Sequence, residues 1–408
     1  MPQAGRQPPE VIQLYSMPFL LLCLSHALFA GSFNMMIPEL PNYLRSIGGA
    51  PYIGLIIALF TVTAGVSRPF SGKLTDTIGR LPVMYFGVFA CILCGFLYPV
   101  MHTVAGFLWI RFIHGFSTGF KPTASSAYVA DIVPWNRRGE ALGIMGICSS
   151  VGSSATPPFG SWLVNHWGIN TMFYVSSFLA FLSLMILIRL PETLEIRQRF
   201  KPSLLKVDRQ DVFDPLVIPA AVVMLLCYFS YGVLLTLGPD LSDRLHLGNR
   251  GMYFTVFTLA SIATRFFAGK IADTVGRVPV IKVSIFIIIF SMLLFAVCHT
   301  PLLFYLGTIF FGFGVGIFFP AISAWTIDLG ESEKRGRALA TMYISLELAI
   351  GSGAFISGSY VGEHTDRVTH MFYVSAVMGI LGLWYLYRHD NTKVLPLIRK
   401  LNYKSGSG

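Results

Sequence analysis

Twelve apolar stretches of about twenty residues follow one another along this chain, each long enough to cross the hydrocarbon core of a bilayer as an α-helix. In a membrane the backbone must satisfy its own hydrogen bonds, so stretches of this kind fold as helices. We predict an all-α integral membrane protein with twelve transmembrane helices. The predicted spans are residues 17–40, 52–71, 82–101, 104–130, 139–165, 170–190, 214–238, 251–270, 280–299, 302–328, 337–361 and 369–388.

The composition excludes a soluble protein. Charged residues make up 12% of the 408 residues, whereas soluble domains carry about 25%. The chain lacks a His-Glu-x-x-His zinc motif, a Gly-x-Ser-x-Gly nucleophile motif and a phosphate-binding Gly-x-x-x-x-Gly-Lys-Ser loop. We therefore predict no enzymatic activity, no cofactor and no metal site. The six cysteines all lie in apolar stretches, where we expect them to act as small packing residues.

The net charge of +10 reflects the distribution of lysine and arginine around the spans rather than a nucleic-acid partner. Connections after the even-numbered spans carry Lys73, Arg80, Arg137, Arg138, Arg197, Arg199, Lys201, Lys206, Arg209, Lys270, Arg277, Lys334 and Arg335. Connections on the other side carry only Arg45, Arg244, Arg250 and Arg367. The positive-inside rule therefore places the even-numbered connections and both termini in the cytoplasm.

One connection is much longer than the others and divides the spans six and six. Residues 191–213 are polar and basic, and they follow the sixth span. We predict a cytoplasmic tail at 1–16, a six-helix bundle at 17–190, a cytoplasmic linker at 191–213, a second bundle at 214–388 and a cytoplasmic tail at 389–408.

The two halves repeat each other. Residues 72–83 (GKLTDTIGRLPV) recur as residues 269–280 (GKIADTVGRVPV), an offset of 197. The same offset relates Arg68 to Arg265, Asp131 to Asp328, and Arg138 to Arg335. Repeats of this kind are typical of transporters, whose site lies where the repeats meet. We therefore expect two pseudo-symmetric six-helix bundles.

The repeated loop suggests a conformational latch at the cytoplasmic helix ends. An aspartate there accepts hydrogen bonds from the amides of a neighbouring helix N-terminus or pairs with an arginine, Arg80 or Arg138. The glycines suit close helix approach and a tight turn. The predicted latch residues are Arg68, Gly72, Asp76, Gly79, Arg80, Asp131, Arg138, Arg265, Gly269, Asp273, Gly276, Arg277, Asp328 and Arg335.

This Gly-x-x-x-Asp-x-x-Gly-Arg loop, present in both halves, resembles the signature of the major facilitator superfamily, in which two six-helix bundles rock around a central cavity. Pro38-Glu39-Leu40-Pro41 and Arg111-Phe112-Ile113-His114-Gly115 resemble elements of the family's twelve-span drug:proton antiporters. For Arg111 this resemblance implies a part in proton coupling. Residues 156–161 (TPPFGS) depart from the antiporters' Gly-Pro-x-x-Gly-Gly element.

Few charges lie within the predicted spans, and such charges mark substrate or proton sites by default. They are Glu39, Arg111, Lys121 and Glu347, and His26, Asn34 and His114 are additional polar candidates for the same cavity. Aromatic residues such as Tyr228, Tyr231, Tyr253, Phe254 and Trp325 are candidates for a pocket wall.

The sequence therefore predicts a proton-coupled exporter of a small organic molecule that works by alternating access. An alternative is an exporter or symporter of an anionic metabolite, siderophore-like or a carboxylate, or a nutrient uptake symporter; the two intramembrane cations favour an anionic substrate. We expect a monomer in the bacterial inner membrane whose partners are lipid, protons and the substrate, with no nucleic acid.

Overall fold

The computed structural model describes residues 16–134, 137–206, 213–330, 335–362 and 364–389. Its long helices, numbered here in chain order, are α1 Met17–Met36, α2 Ile53–Thr77, α3 Arg80–Leu97, α4 Val104–Ile132, α5 Arg138–Trp167, α6 Ile169–Leu187, α7 Ile218–Arg244, α8 Met252–Val275, α9 Arg277–Ala296, α10 Pro301–Leu329, α11 Arg335–Val361 and α12 Val368–Arg388. Each corresponds to one predicted span, which confirms the all-α membrane fold.

Nine segments of the described chain are long and apolar enough to cross a membrane. They include every long helix except α4, α5 and α8. Two of these helices are more polar: α4 carries Arg111 and Lys121, and α5 is rich in serine and glycine. Part of α8 lies outside the residues whose side chains the structure describes. Polar side chains in a spanning helix face protein rather than lipid, so these helices are where buried sites are expected.

Two helix ends differ from the predicted spans. The first span is interrupted: α1 ends at Met36, a turn follows, and a short helix covers Leu40–Ser46. Pro38 and Pro41 explain the break, because proline cannot donate to the preceding turn of a helix. Helix α2 instead runs past its apolar stretch to Thr77, so Gly72 and Asp76 are helical.

The described helices group into two compact units. The first is drawn from Met1–Glu39 and Val66–Val207, and the second from Leu40–Gly65 and Asp208–Gly408. Within the first unit α1 packs on α5 and α6, and α3 packs on α4 and α6. Within the second, α7 packs on α11 and α12, and α9 packs on α10 and α12. These pairs match when six is added to each helix number, so the internal repeat extends to the packing.

Small residues allow the closest of these contacts. A Cβ atom at Gly152 of α5 would overlap the carbonyl oxygen of Ala27 of α1, and one at Gly353 of α11 would overlap the carbonyl oxygen of Phe229 of α7. Helices in lipid associate mainly through such close packing, because lipid chains provide no hydrophobic driving force. The small residues therefore hold equivalent helix pairs together in both units.

Candidate functional site

A buried lysine–histidine pair lies inside the first unit. Lys121 of α4 is completely buried, and its Nζ lies 3.1 Å from Nδ1 of His26 on α1. The ring of Phe29 lies beneath the same amine, 4.9 Å from centroid to Nζ. Pro122, the next residue in α4, has no amide hydrogen to donate to the preceding turn. Ser125 Oγ donates to the Lys121 carbonyl at 2.8 Å.

A second group of polar side chains in the same unit forms a continuous series of contacts. Arg111 Nη1 donates to Tyr98 Oη at 3.3 Å, and that hydroxyl lies 3.2 Å from Nδ1 of His114. His114 Nε2 lies 3.3 Å from Cys91 Sγ, which is 3.2 Å from Ser32 Oγ. Arg111 and His114 are both buried. The chain therefore connects α4 through α3 to α1 by continuous polar contacts.

The two clusters bring cations into a low-dielectric interior. Two unit charges 3.1 Å apart, the Lys121–His26 distance, repel by about 5 kcal/mol at an effective dielectric constant of ~20. Lys121 and His26 are therefore favoured to hold one proton between them rather than two. Arg111 keeps its charge, since a guanidinium is not deprotonated in proteins.

Glu39 and Asn34 both bind α5 from the end of the first span. Glu39 lies in the turn after α1, where it is buried and accepts a 2.6 Å hydrogen bond from Ser161 Oγ. Asn34 Nδ2 donates to Ser153 Oγ at 3.0 Å and to the carbonyl of Ala30 at 2.8 Å. These two predicted site residues therefore belong to the α1–α5 contact.

The fourth predicted intramembrane charge, Glu347, belongs to the second unit. It is half-buried and lies near the middle of α11. A Cβ atom at Gly65 of α2 would lie 3.3 Å from the Cβ and 3.5 Å from the Cγ of Glu347, so the two helices are close at this point. Glu347 therefore belongs to one unit, and the six other predicted site residues belong to the other.

Aromatic side chains of the second unit form a cluster. Tyr231 stacks on Phe311 with ring centroids 6.1 Å apart, and Tyr228 contacts Tyr231 and Phe319 at 5.7 and 6.1 Å. Phe319 reaches Tyr343 of α11 at 6.3 Å. Tyr253, Phe254 and Trp325 are buried, and Tyr253 contacts Phe254 and Phe304. The aromatic positions expected in a pocket wall thus pack largely on one another.

The repeated loop forms ion pairs at the ends of α2, α3 and α4. Arg80 Nη1 binds Asp76 Oδ1 and Arg80 Nε binds Asp131 Oδ2, both at 3.0 Å. Of the two partners considered for Asp76, an arginine and a helix N-terminus, the structure shows the arginine. Gly79 takes a φ of +126° between α2 and α3, a conformation in which glycine is not penalised.

The N-terminus of α3 is capped by a residue that sequence reasoning missed. Glu192 accepts from the amides of Arg80 at 3.0 Å and Leu81 at 2.9 Å, and it leaves no room for a side chain at Gly79. Thr193 Oγ1 donates to Asp131 Oδ2 at 2.6 Å. The sequence signal is weak: the linker has four acidic residues, and Glu192 is only the one nearest the sixth span.

The second unit repeats part of this arrangement. Arg277 Nε binds Asp328 Oδ2 at 3.3 Å, the counterpart of Arg80 with Asp131, and Gly276 has a φ of +102°. Arg265 lies close enough to Tyr228 and Tyr231 to interact electrostatically with both. The surroundings of Gly269 and the side chains of Asp273 and Arg335 lie outside the described part of the structure. Arg68, Gly72 and Arg138 are placed on α2 and α5, near the same ends.

A further ion pair in the second unit joins the short helix 40–46 to α7. Arg45 binds Asp240 through two nitrogen–oxygen contacts of 2.6 and 2.5 Å. Asp243 accepts from Asn42 at 3.1 Å and from Arg250 at 2.6 Å. The predicted span ended at residue 238 and left Asp240 in a connection, whereas α7 continues to Arg244 and buries it.

Comparison with known proteins agrees with this fold. The family model of the Major Facilitator Superfamily matches residues 22–253 and 220–402. Among curated proteins, multidrug resistance protein MdtG of Klebsiella pneumoniae is 22% identical over 86% of this chain and 88% of its own length. The multi-drug resistance efflux pump PmrA of Streptococcus pneumoniae is 26% identical over 73% of this chain and 77% of its own length.

Solved structures are similar in fold. The human organic anion transporter MFSD10 superposes with a TM-score of 0.70 at 19% identity, covering 93% of this chain and all of its own. The nucleoside transporter NupG superposes with a TM-score of 0.74 at 14% identity, covering 91% of this chain and 99% of its own. At such identities the likeness is one of fold.

Proposed function

The chain belongs to the Major Facilitator Superfamily, whose members are carriers rather than enzymes, and from this premise we propose that it exports small organic molecules in exchange for protons. The two units alternate access to a substrate site as the protein rocks between states. The repeated packing of α1–α6 and α7–α12 supports this mechanism, because equivalent bundles provide two related end states.

The observation that carries the proposal is the set of buried ionisable side chains inside spanning helices. Lys121, Arg111 and Glu39 are almost completely shielded from solvent, and Glu347 is half-buried in α11. Charge in such a position is costly, and in transporters it marks proton relays and substrate paths. Export rather than uptake is supported by the curated relatives, two of which are named as multidrug resistance and efflux proteins.

A second candidate is the transport of an organic anion. Among the described residues of the first unit, the buried charged side chains are two cations, Arg111 and Lys121, and one carboxylate, Glu39. An excess of cations attracts an anionic substrate rather than a cationic drug. One solved structure of the same fold is described as an organic anion transporter.

We also propose a setting for this activity. We place the protein in a bacterial inner membrane as a monomer, with both termini in the cytoplasm as the lysine and arginine distribution predicts. In this orientation the Arg80–Asp131 and Arg277–Asp328 ion pairs lie at the cytoplasmic helix ends and act as the latch between states.

Flux of defined dyes into proteoliposomes tests the proposal. The purified protein is reconstituted, and uptake of ethidium, a cation, and fluorescein, an anion, is followed with and without a pH gradient. We expect the gradient to drive accumulation of at least one dye, and collapsing it with a protonophore to abolish that accumulation. Accumulation that is unchanged by the protonophore would show that proton coupling is wrong.

The Glu347→Gln variant tests one coupling residue. If Glu347 carries a proton, the amide cannot, so gradient-driven accumulation is lost while exchange of dye across the membrane continues. Glu195→Gln, at an exposed carboxylate of the linker, is the matched control and should behave as the wild type. Retained gradient-driven accumulation in Glu347→Gln would remove this residue from the coupling step.

A further inference from the structure

The contact between Lys121 and His26 buries a lysine that is paired with no carboxylate of the described residues, and the proposed function does not explain this. Within the described part of the structure the Lys121 amine lies at hydrogen-bond distance from the imidazole of His26 and over the ring of Phe29. No carboxylate among the described residues forms an ion pair with it. A buried lysine normally has such a partner, so the charge here is balanced in another way.

The helices around Lys121 are packed too closely for a substrate to reach the amine. A Cβ atom at Gly87 of α3 would lie 2.7 Å from the Lys121 backbone nitrogen and 2.9 Å from its Cβ, so α3 presses directly against this turn of α4. Lys121 is 0% exposed, and His26 is 7% exposed. A proton can enter through the imidazole, whereas an organic molecule cannot.

The electrostatics favour one proton in this space. Two charged groups 3.1 Å apart in a low-dielectric interior repel strongly, which opposes the doubly protonated state. With one proton, either arrangement keeps a hydrogen bond between the two nitrogens: the ammonium donates to the imidazole, or the imidazolium donates to the amine. Two bases this close titrate as a pair.

We propose that Lys121 and His26 form a carboxylate-free site that binds and releases a single proton during transport. This proposal rests on the proposed function, because the proton that the pair holds is one that drives export. It goes beyond the proposed function by assigning that proton to two basic side chains rather than to Glu39 or Glu347.

The steps balance with no additional reactant. In the loaded state Lys121 is an ammonium that donates to Nδ1 of His26, whose Nε2 carries the imidazole hydrogen. For release, the proton moves from Lys121 Nζ to His26 Nδ1, and the imidazolium then loses its Nε2 proton to water. The pair is left neutral, with Nδ1–H donating to the Lys121 amine, and reloading reverses the sequence.

Other titratable groups border the pair. Cys23 of α1 and Cys91 of α3 lie close enough to Lys121 to interact electrostatically, and Cys148 of α5 lies next to Cys23. Arg111 and His114 lie next to Cys91: Arg111 interacts with it electrostatically, and His114 Nε2 lies 3.3 Å from its Sγ. Cysteine thiols carry no charge when protonated, so they leave His26 as the base available to the amine.

Nitrogen NMR tests the proposal without a substrate. The full-length protein in lipid nanodiscs is labelled with ¹⁵N-lysine and ¹⁵N-histidine, and the two signals are assigned by their loss in Lys121→Arg and His26→Gln. Between about pH 5 and 9, the range of histidine titration and its shifts, we expect the Lys121 and His26 signals to change together with a single midpoint. An ammonium signal that persists throughout, two independent midpoints or no change would each overturn the proposal.

Transport of the dyes provides the second arm. We expect Lys121→Arg, which keeps a charge that cannot be released, and His26→Gln, which keeps a hydrogen bond without a titratable ring, to lose gradient-driven accumulation while retaining dye exchange. Lys282→Met is the matched control, because its amine belongs to the other unit and lies over the ring of Tyr387 of α12 at 4.1 Å. Retained gradient-driven accumulation in both pair variants would overturn the proposal.

The two arms separate the two claims. If the wild type shows no gradient-driven accumulation of either dye, the proposed proton-coupled export fails, and the NMR titration still decides whether the pair binds one proton. Size-exclusion profiles and melting curves show whether each variant is folded. Lys121→Met, an apolar side chain of similar length, replaces Lys121→Arg if the arginine does not fit.

Discussion

At the scale of single residues, the degree of burial distinguishes charged side chains that have similar sequence surroundings. Asp76 and Lys121 are both charged residues close to a glycine or proline in a spanning helix, yet the side chain of Asp76 is 73% exposed and Lys121 is fully buried. An exposed ion pair contributes about 0–1 kcal/mol because water and salt screen it. A buried charge without a partner costs far more, so the buried groups are where function is sought.

The Arg45–Asp240 ion pair gives a prediction of this kind. The side chain of Asp240 is 2% exposed and that of Arg45 is 23% exposed. Arg45→Gln leaves a buried carboxylate without its cation, whereas Asp240→Asn leaves an arginine that can turn toward water. We expect Arg45→Gln to lower the unfolding free energy by about 2–3 kcal/mol and Asp240→Asn to lower it by less.

Melting temperatures of the purified variants in detergent show which of the two single variants is destabilised more. The double variant Arg45→Gln with Asp240→Asn should melt above Arg45→Gln alone, because the uncompensated carboxylate is gone. Equal melting temperatures for the two single variants would contradict the asymmetry. Asn42 and Asp243 remain in place in all three proteins and keep the rest of the contact constant.

At the scale of helices, the point where two helices cross decides which small residues allow close packing. The sequence shows Gly143, Gly146 and Gly152 on one helix without indicating which of them touches a neighbour. The structure places Gly152 against the backbone of α1, whereas Gly143 and Gly146 have open space around them. Contact depends on where two helices cross, and the sequence of one helix does not contain that point.

Alanine substitution along α5 tests this packing. In Gly152→Ala the new methyl group would overlap the Ala27 carbonyl, so α1 and α5 must move apart at an overpacking cost of about 1–3 kcal/mol. We expect a lower apparent melting temperature. Gly146→Ala is the matched control on the same helix and should melt like the wild type or slightly above it, because alanine favours helix over glycine. Destabilisation of both variants to the same degree would show that helix propensity rather than contact is responsible.

At the scale of the whole molecule, the internal repeat is the property that both the sequence and the structure express. The offset of 197 residues relates Arg80–Asp131 to Arg277–Asp328, and the structure forms both ion pairs between the same atoms, Nε and Oδ2. Equivalent contacts in both halves are expected where two bundles share one conformational cycle.

Neutralising both aspartates tests the latch. We expect Asp131→Asn with Asp328→Asn to lower the maximal rate of dye transport while leaving the half-saturating dye concentration unchanged, because the latch acts on the change of state and not on substrate binding. Initial rates in proteoliposomes over a range of dye concentrations separate the two parameters. Glu140→Gln, which breaks an exposed ion pair with Arg137 at the start of α5, is the control. A changed half-saturating concentration at an unchanged maximal rate would refute the latch.

The sequence predicted which residues form the candidate site but only some of the contacts between them. Lys121, His26, Arg111 and His114 stand out as polar residues in apolar stretches, and the structure buries all four in one unit. Cys91 was expected to be a packing residue, yet it lies within hydrogen-bonding distance of Ser32 and His114. Glu192 was missed because its partners are backbone amides of another helix, which no side-chain pattern reveals.

The sequence by itself determined the membrane class, the long helices with their ends to within about six residues, the internal repeat and the family. These depend on local hydropathy and on spacing along the chain, which a membrane converts directly into helices. Only the tertiary structure decided that Lys121 contacts His26 and that Asp240 is buried against Arg45. Each depends on how far helices rotate and where they cross, which is set by the packing of side chains distant in sequence.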